Sequence, residues 1–496
     1  MNEPSASLSS VFERFLSFEQ RNDLFRMEVC GVRIWHYIRF SVYSKQVLPC
    51  FVPMGAAHPD KKARAKPRWG WNPVSVMRRL WRAFRLRVLR NPMLRRVHCD
   101  VLMALSPRIT RLADGRRVRL AVDFFAGRLK STWAVLEFPA TDGGYAVHDG
   151  CGVAFCWEPV RVACAKYRRS AAFRGMQPEI ADAAGRIADR LSQCFGMESD
   201  ARRLTRTIEN AVVRERAAVP LLRRWLRRLC VRCVVEVVHY NGDNMALTKA
   251  AHEEGIPVAE LQHGTIFPAH AAYNLPVAES PCTPEYLLTW GDFWMRQMRN
   301  FPSKRAVETG YSYLEYYLER FPRRPGRGAK ARILFLSQGT VGAELSRRAI
   351  ELAGMLPSDR FEIVYKLHPG ESLTWREIYP WLVDSKVVVV SSGECSVYEL
   401  FADASAAVGV YSTAVIEGLM WGVRSFVFVD MPGGDTMKPF LVEGLMVGVS
   451  STRELSARLS ESAIDAAPSV DGSRFWTPHA SVNVASAIDG LVVRNA

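Results

Sequence analysis

The sequence predicts an α/β protein built from two doubly wound domains. Short apolar runs of strand length alternate with helical stretches over residues 99–320, and the same alternation begins again at residue 332. Between the two stretches, residues 321–331 are rich in proline, glycine and basic side chains and have no periodicity, which indicates a linker. Alternating strands and helices form parallel sheets with helices on both faces.

The elements of the first domain follow from apolar runs and their breakers. The β-branched run 234–240 and the run 257–262 predict strands, and they flank a polar turn and a helix that ends at Gly255. This arrangement is a βαβ unit, whose right-handed crossover makes the two strands parallel. Three further apolar runs predict strands at residues 101–105, 286–290 and 306–309.

The second domain, residues 332–496, repeats the pattern more regularly. Its predicted strands cover residues 332–337, 361–367, 387–391, 406–410 and 425–429. Its predicted helices cover residues 342–356, 396–402 and 412–421. Residues 1–50 carry apolar positions at helical spacing, and with the basic residues up to 98 they predict an N-terminal helical extension.

Composition limits the class of protein. Hydrophobic residues make up 48% of the 496 residues and charged residues 23%, which excludes a mostly disordered chain. No apolar run reaches the roughly 20 residues of a membrane span, and the N-terminus lacks the pattern of a signal peptide. The eleven cysteines are unpaired in spacing, and we expect the pair Cys230 and Cys233 to be buried free thiols. These observations predict a cytoplasmic protein.

The positive charge is concentrated in one segment. Residues 61–98 hold thirteen basic side chains and no acidic one, so the rest of the chain carries 16 − 13 = +3. Apolar residues at three- and four-residue steps, including Trp81 and Phe84, alternate there with Arg78, Arg79, Arg82 and Arg85. This pattern favours a helix in the interface of an anionic membrane, although the apolar stripe could instead pack on the protein itself. No nucleic-acid-binding motif accompanies the arginines, so we expect no nucleic-acid partner.

Polar residues at strand ends are the candidates for chemistry. Lys366 and His368 share one face at the end of a strand that Pro369 terminates, and a cation beside an imidazole suits a phosphate. Ser412 and Thr413 stand at a helix start, where they would bind an anion or only cap the helix.

Three further positions extend this set. Glu417 lies one turn along the helix that begins at Ser412 and could accept hydrogen bonds from ribose hydroxyls. Gly339 and Thr340 form a strand-to-helix turn that could present backbone N–H groups to a phosphate.

The first domain offers its own polar cluster. Gln262, His263 and Thr265 follow a predicted strand, and Gly264 allows a sharp turn there. The pKa of a histidine lies near neutrality, so His263 could take a proton from an acceptor hydroxyl, or it could simply bond a loop carbonyl. The remaining candidates on this side are His270, Tyr273 and Asn241.

Several motifs are absent. The chain has no Asp-x-Asp pair to hold a metal for a sugar nucleotide, and no Walker A, GxGxxG, HExxH or GxSxG motif. The sequence therefore gives no support for P-loop kinases, Rossmann oxidoreductases, zinc proteases or α/β-hydrolases, and we expect no metal or cofactor.

Taken together, three motifs resemble those of bacterial GT-B transferases that build surface polysaccharides. They are the Gln-His-Gly-Thr loop at 262–265, Lys-Leu-His-Pro at 366–369 and Tyr-Ser-Thr-x-x-x-Glu-Gly at 411–418. Similar groups are capsule polysaccharide biosynthesis proteins, sialyl- and Kdo-transferases with a His-Pro motif, and CDP-glycerol glycerophosphotransferases. The resemblance covers roughly residues 230–430.

The resemblance implies roles for these residues. Two Rossmann-like domains would face a cleft, with an acceptor domain at 99–320 and a nucleotide-donor domain at 332–496. His368 with Pro369 would contact the donor phosphate, Ser412 and Thr413 would hold the same phosphate, and Glu417 would bind the ribose. His263 would face the acceptor. The paired-acid base motif of polysialyltransferases has no copy here, because Thr141-Asp142-Gly143 and His148-Asp149-Gly150 lack the first acid, so the base stays open.

These features predict a metal-independent glycosyltransferase. It would move a sugar from a CMP-, CDP- or UDP-linked donor to a glycan or lipid-linked acceptor of a capsular or other surface polysaccharide. Residues 61–98 would hold it on the inner face of the cytoplasmic membrane. A polyol-phosphate transferase, a UDP-sugar epimerase and a non-catalytic assembly factor are the alternatives.

Overall fold

The computed structural model describes residues 8–51, 77, 81, 90–95, 97–106, 109–112, 115–139, 145, 153–277, 280–299, 305–324, 330–391, 394–461 and 472–495. The chain forms two compact units. The N-terminal unit contains Val11–Cys50, Trp69–Tyr313 and Arg474–Ala496, and the C-terminal unit is formed mainly by Leu314–Ser473. The boundary between Tyr313 and Leu314 precedes the predicted linker at 321–331, of which residues 325–329 lie outside the described part.

The N-terminal unit is built on a seven-stranded parallel sheet. Its strands in chain order are β1 (Val101–Leu105), β2 (Trp133–Glu137), β3 (Val153–Cys156), β4 (Cys233–Glu236), β5 (Val258–Leu261), β6 (Tyr286–Thr289) and β7 (Ala306–Glu308). They are arranged as β7-β6-β5-β4-β1-β2-β3. The chain order reverses direction between β1 and β4, and such a switch point leaves a crevice at the carboxyl ends of the two strands.

Apolar side chains cover both faces of this sheet. On one face, Trp225 and Leu226 of helix Val219–Leu229 and Leu247 of helix Gly242–His252 pack against residues such as Leu102 and Val234. On the other face, the core around Met103 and Val235 is completed by the last helix of the chain. Among the described residues, the other helices that lie wholly or mainly in this unit are Leu8–Arg21, Trp35–Val42, Leu48–Phe51, Glu158–Arg168, Ala171–Phe195, Ala201–Val213 and Asp292–Arg296.

The N-terminal helices belong to this unit and are not a separate extension. Phe12, Phe15 and Trp35 are fully buried. Arg39 is also buried and donates to Glu19 at 2.6 and 2.9 Å, to Asn274 O at 3.1 Å and to Ala271 O. A buried guanidinium needs such partners, because a charge left unpaired in the interior is costly. The predicted helical character of residues 1–50 is confirmed for the helices Leu8–Arg21 and Trp35–Val42.

The last helix, Ala480–Arg494, differs from the predicted domain assignment. Residues 332–496 were expected to form one domain, but Val484, Ile488, Leu491 and Val492 are buried against the sheet of the N-terminal unit. Asp489 joins them by accepting hydrogen bonds from Ser131 N at 3.1 Å and Ser131 Oγ at 2.6 Å. Burial of this apolar stripe outweighs continuity along the chain.

The C-terminal unit contains a six-stranded parallel sheet. Its strands are β8 (Ala331–Leu336), β9 (Phe361–Lys366), β10 (Val388–Val390), β11 (Ala406–Gly409), β12 (Arg424–Phe428) and β13 (Val447–Val449), arranged as β10-β9-β8-β11-β12-β13. The switch point lies between β8 and β11. The helices of this unit are Gly342–Met355, Trp375–Ile378, Val397–Asp403, Thr413–Glu417, Lys438–Val442 and Thr452–Glu461, and Ser312–Arg320 spans the boundary.

The α/β class with two Rossmann-like parallel sheets is thus confirmed. Two predicted elements differ most from their expected lengths. The strand predicted at 234–240 ends at Glu236, because Val238 has a left-handed φ of 66°. The helix predicted at 412–421 is α-helical only over Thr413–Glu417 and continues as a 3₁₀ turn at Gly418–Trp421.

Two sequence predictions meet the described residues only in part. Of the predicted pair of buried thiols, Cys233 is buried but Cys230 is exposed. In the basic segment, Arg78, Arg79, Arg82 and Arg85 lie outside the described residues, as do 141–144 and 148–150. No helix within the described part of the chain is long and apolar enough to cross a membrane.

Candidate functional site

A pocket of about 540 Å³ opens at the switch point of the N-terminal sheet. Its lining includes residues that directly follow β1, β2, β4, β5, β6 and β7, so it lies at the carboxyl ends of the strands. Ligand sites of open α/β sheets are found at this place. Tyr240, Asn241, Gln262 and His263, which follow β4 and β5, form its polar side together with Arg119.

His263, a candidate for the acceptor-side base, lines this pocket with its side chain 26% exposed. Its Nε2 shares a hydrogen bond with the Tyr240 hydroxyl at 3.0 Å. Its Nδ1 faces Glu260 Oε1 at 3.7 Å. A carboxylate on one side of an imidazole favours a proton on the near nitrogen, which leaves the far nitrogen as the acceptor of a proton.

Glu260 is the centre of a buried polar network behind His263. Its carboxylate accepts hydrogen bonds from the His239 backbone N–H at 3.3 Å and from the Tyr273 hydroxyl at 2.9 Å, and it lies 2.6 Å from His239 Nδ1. Burial alone raises the pKa of Glu260, but the charge and hydrogen bond of His239, the charge of His263 and the Tyr273 hydrogen bond together lower it. Glu260 is therefore a carboxylate at neutral pH.

A second buried carboxyl stands beside Glu260 on the next strand. Glu236 and Glu260 are register partners in β4 and β5, so their side chains lie on the same face of the sheet. Burial, and then the charge of Glu260, raise the pKa of Glu236 well above its ordinary value. Thr248 donates a hydrogen bond to Glu236 Oε1 at 3.1 Å. The pKa values of the two carboxyls are therefore shifted in opposite directions, upward for Glu236 and downward for Glu260.

The other predicted acceptor-side residues support this site from behind. Tyr273 is buried on Glu260. His270 packs on Phe40 with ring centroids 6.1 Å apart and on Tyr240 at 5.7 Å. Burial, and then the charges of His263 and His239, lower the pKa of His270 to about 3, so its ring is neutral. Neither His270 nor Tyr273 is among the residues that line the pocket.

Asn241 and Gln262 line the pocket, but their side chains are engaged by the backbone. Asn241 Oδ1 caps the helix Gly242–His252 by accepting from the N–H groups of Asp243 and Asn244 at 3.0 and 2.9 Å. Gln262 Oε1 accepts from Trp290 N at 2.9 Å, and Gln262 Nε2 donates to Gly264 O at 2.9 Å. Both amides hold loops in place, which was not expected from the sequence.

In the C-terminal unit, the switch point brings two of the predicted motifs together. The turn that carries Gly339 and Thr340 follows β8, and Tyr411 to Thr413 follow the adjacent strand β11. Gln338 Oε1 accepts from Tyr411 N at 3.1 Å, and the hydroxyls of Thr340 and Tyr411 are hydrogen-bonded to each other. The two loops therefore form one surface at the carboxyl end of the sheet.

Ser412 and Thr413 have different positions in this loop. Ser412 is the N-cap of the helix Thr413–Glu417, because its Oγ accepts from Ala414 N at 3.3 Å. Thr413 is half-buried, and its hydroxyl has no hydrogen bond with the residues that the structure describes. Of the pair, Thr413 is the one left to contact a ligand.

Lys366 and His368 have different surroundings. The Lys366 ammonium donates to Ser391 O at 2.6 Å and to Cys395 O at 2.7 Å, and burial lowers its pKa. Two of its three N–H bonds are thus committed to the backbone. His368 is exposed and accepts at Nδ1 from Gly370 N at 3.2 Å. Since an amide N–H can only donate, Nδ1 is unprotonated and the ring proton lies on Nε2.

The turn around His368 is braced by a buried glutamate. Glu371 accepts from the His368 backbone N–H at 2.8 Å and from the Tyr379 hydroxyl at 2.6 Å. The strand β9 ends at Lys366, so His368 and Pro369 lie in the turn that follows it rather than at the last strand positions. These contacts fix the loop so that His368 presents an N–H donor.

Glu417 lies on the same helix as Thr413, but its side chain is buried. It accepts from the Tyr398 hydroxyl at 3.0 Å, and burial raises its pKa to about 7. The predicted contact with a ribose has no exposed carboxylate to support it, because Glu417 is 6% exposed. Within the described ranges no group of His, Cys, Asp or Glu side chains is arranged to hold a metal ion.

Sequence reasoning missed several members of the two sites. Glu260, His239 and Tyr240 were not assigned roles, although Glu260 lies three residues before His263 and the other two come just before Asn241. The signal for Glu260 is an acid in an otherwise apolar strand. Trp290 and Tyr311, which also line the pocket, follow β6 and β7 and lie far from His263 in sequence.

No protein-family profile matches the chain, and no curated protein sequence does. Solved structures give weak similarities. A UDP-GlcNAc 2-epimerase from Methanocaldococcus jannaschii has a TM-score of 0.45 and 10% identity over 78% of this chain and 98% of its own. The enzyme of that name from Neisseria meningitidis, bound to UDP-GlcNAc, has a TM-score of 0.45 and 14% identity over 79% and 99%. The wall teichoic acid polymerase TagF has a TM-score of 0.39 and 13% identity over 86% and 98%. At these values the α/β assignment rests on the two sheets themselves.

Proposed function

We propose that this protein is a GT-B-type glycosyltransferase. It moves a sugar from a nucleotide-activated donor to a growing capsular or other cell-surface polysaccharide. The observation that supports this most strongly is His263 on the wall of the switch-point pocket, with the ionised Glu260 at its back. A histidine held in this way suits the removal of a proton from a hydroxyl group.

The acceptor hydroxyl binds in the pocket and gives its proton to His263 Nε2. Glu260 stabilises the imidazolium that forms, because the carboxylate lies next to Nδ1. Tyr240 occupies Nε2 in the absence of acceptor and yields that hydrogen bond to the substrate hydroxyl. The acceptor oxygen then forms the new bond to the sugar carbon, and the bond from that carbon to the donor phosphate breaks.

The electron pair of the broken bond goes to the phosphate of the leaving nucleotide. His368 Nε2–H and the Thr413 hydroxyl are the donors that stabilise this charge, together with the Gly339–Thr340 turn. Lys366 contributes as a buried positive charge near the strand end. The same groups would also stabilise the leaving nucleotide in a polyol-phosphate transfer. Identification of the reaction product therefore distinguishes a glycosyltransferase from a polyol-phosphate transferase.

The basic segment gives the proposed membrane attachment. Met77 and Trp81, spaced one helical turn apart, are 67% and 60% exposed, so these two apolar side chains are not buried in the protein's own core. An exposed apolar pair within a basic segment suits the interface of an anionic membrane. We place the protein on the cytoplasmic face of that membrane, beside a lipid-linked or glycan acceptor.

The test is a calorimetric titration with CMP, CDP and UDP. We expect one of them to bind, and His368→Ala to weaken its binding about tenfold through loss of a charge-assisted hydrogen bond. His98→Ala is the matched control, because His98 is also exposed but precedes β1 at the amino end of the sheet. Absence of heat with all three nucleotides would overturn the proposal in favour of a non-catalytic assembly factor. Interconversion of UDP-sugars without any acceptor would identify an epimerase.

A further inference from the structure

Two aromatic rings form one wall of the pocket beside His263. Trp290 follows β6 and Tyr311 lies three residues after the end of β7, and their rings stack with centroids 4.5 Å apart at an angle of 16°. Trp290 is 2% exposed, whereas Tyr311 is half-buried. Tyr311 therefore lies over a buried ring that supports it, and both line the same pocket as His263.

This aromatic pair is held rigidly and is linked to the base. Trp290 donates its backbone N–H to Gln262 Oε1 and its indole N–H to Gln262 O, both at 2.9 Å. Gln262 directly precedes His263, and its amide also holds Gly264 O at 2.9 Å. On the other side, Thr477 N donates to Trp290 O at 2.7 Å. Gln262 thus sets the position of the aromatic wall relative to the loop that carries His263.

The rest of the pocket is divided between apolar and polar surface. Leu105, Phe125, Phe138 and Val484 provide apolar walls, and the polar side chains include Ser106, Tyr240 and Ser312. A pyranose ring has the same division, since its axial C–H bonds form an apolar face and its hydroxyls form a polar edge. Polarised C–H bonds also favour the negative face of an aromatic ring.

Given the proposed function, on which this inference rests, we propose that Tyr311 is the stacking surface for the terminal sugar of the acceptor. The apolar face of the sugar lies on the Tyr311 ring, and Gln262 acts as a positioning residue that keeps this ring in register with His263. The polar edge of the sugar then meets Tyr240 and His263. A purely apolar chain would leave these polar groups without partners in the pocket, so it is the weaker occupant.

The experiment uses the full chain and a panel of methyl glycosides of glucose, galactose, N-acetylglucosamine and N-acetylmannosamine. Binding is measured by saturation-transfer NMR, which detects millimolar affinities. We expect at least one glycoside to bind, Tyr311→Ala to weaken it about tenfold, and Tyr311→Phe to keep it within about twofold. Tyr311→Leu fills the site without an aromatic face and should lose binding while melting at the wild-type temperature.

Tyr167→Ala is the matched control, because Tyr167 is a half-buried tyrosine that packs at a tilt against Phe173, with ring centroids 5.9 Å apart, and lies outside the pocket. The inference is overturned if no glycoside binds, if Tyr311→Leu binds as tightly as wild type, or if octanol binds more tightly than the methyl glycosides do. Failure of the proposed function appears separately, as the absence of nucleotide binding by calorimetry.

Discussion

At the scale of single residues, the two buried glutamates on β4 and β5 give the clearest contrast. Burial raises the pKa of Glu236 well above its ordinary value, whereas the pKa of Glu260 is lowered beside His239 and His263. A glutamine has the shape of a neutral glutamic acid, so Glu236→Gln should leave the melting temperature and the transfer rate near wild type. Glu260→Gln removes the charge that supports the imidazolium, and it should lower transfer about 100-fold.

The Glu260→Gln variant should also be less stable by about 3 kcal/mol, because the buried hydrogen bonds of His239 and Tyr273 lose their carboxylate partner. Thermal unfolding and a transfer assay with the donor found by titration measure both effects. Equal behaviour of the two variants would remove Glu260 from the mechanism.

Ser412 and Thr413 give a second prediction at this scale. Ser412 caps the helix, so Ser412→Ala should lower stability by about 1 kcal/mol and leave nucleotide affinity nearly unchanged. Thr413→Ala should weaken nucleotide binding about tenfold, since a hydrogen bond to a phosphate is lost, while Thr413→Ser should keep most of the affinity. Unfolding and calorimetry on the three variants test this, and unchanged affinity in Thr413→Ala would place the phosphate elsewhere.

Glu417 makes stability depend on pH. Burial raises its pKa from 4.5 to about 7, so between these values the folded protein keeps a proton that the unfolded chain releases. The stability contributed by this proton is complete below pH 4.5 and is lost as the pH rises through 7, by about 3 kcal/mol. Glu417→Gln stays neutral and keeps the Tyr398 hydrogen bond.

The melting temperature of Glu417→Gln should therefore exceed that of wild type by more at pH 8 than at pH 5. The control is Glu344→Gln, on an exposed face of the helix Gly342–Met355. An equal difference at both pH values would contradict the shifted pKa.

At the scale of elements, the sequence predicts strands and helices better than it predicts their ends. The apolar run after residue 232 continues to Tyr240, but the strand stops at Glu236 because Val238 turns into the left-handed region. No local pattern announces that turn, which depends on contacts made by Asn244 with the carbonyls of Val237 and Val238 at 2.8 and 2.9 Å. That turn places His239 on Glu260.

For the candidate site, too, the sequence predicts which residues lie at strand ends but not the contacts that they make. His263 and His368 follow strands whose apolar runs are visible in the sequence, so their place at a sheet edge could be inferred. Lys366 also follows from the strand pattern, but its engagement with Ser391 and Cys395 depends on a loop after β10. The Trp290–Tyr311 pair depends on how the segments after β5, β6 and β7 pack together. The alternation of apolar residues predicts the strands but not this packing.

Gly310 lies just after the end of β7 and directly precedes Tyr311 of the proposed sugar site. Its φ is +86°, and a Cβ there would overlap Thr477 O and lie 2.7 Å from Ala480 Cβ. Gly310→Ala should therefore be destabilising by well over the roughly 1 kcal/mol of a left-handed alanine, and it should abolish glycoside binding next to Tyr311. Gly196→Ala is the control, because Gly196 has φ +65° with nothing within 4 Å. Equal melting temperatures of the two variants would contradict the crowding at Gly310.

At the scale of the whole molecule, the chain repeats one arrangement in two units. Each unit has a parallel sheet whose strand order reverses at a switch point, and each carries its polar candidates at the carboxyl ends of the central strands. In the N-terminal unit those groups suit the removal of a proton, and in the C-terminal unit they suit the binding of a phosphate. Under the proposed function, the first set of groups serves the acceptor and the second set serves the donor phosphate.

The charge of the molecule follows a different division, since residues 61–98 hold +13 of its +16. Changing Arg78, Arg79, Arg82 and Arg85 to Glu reverses four charges and lowers the net charge by eight, and each basic group near an anionic surface is worth about 1 kcal/mol at low salt. The variant should therefore fail to float with phosphatidylglycerol vesicles that carry the wild-type protein, and wild-type binding should weaken as salt rises.

The control changes four exposed arginines to Glu elsewhere, namely Arg169, Arg174, Arg202 and Arg206. The control has the same net charge, so only a local role of residues 61–98 predicts that it still binds. If neither variant floats, net charge alone explains vesicle binding. If both variants float, another surface of the protein binds the membrane.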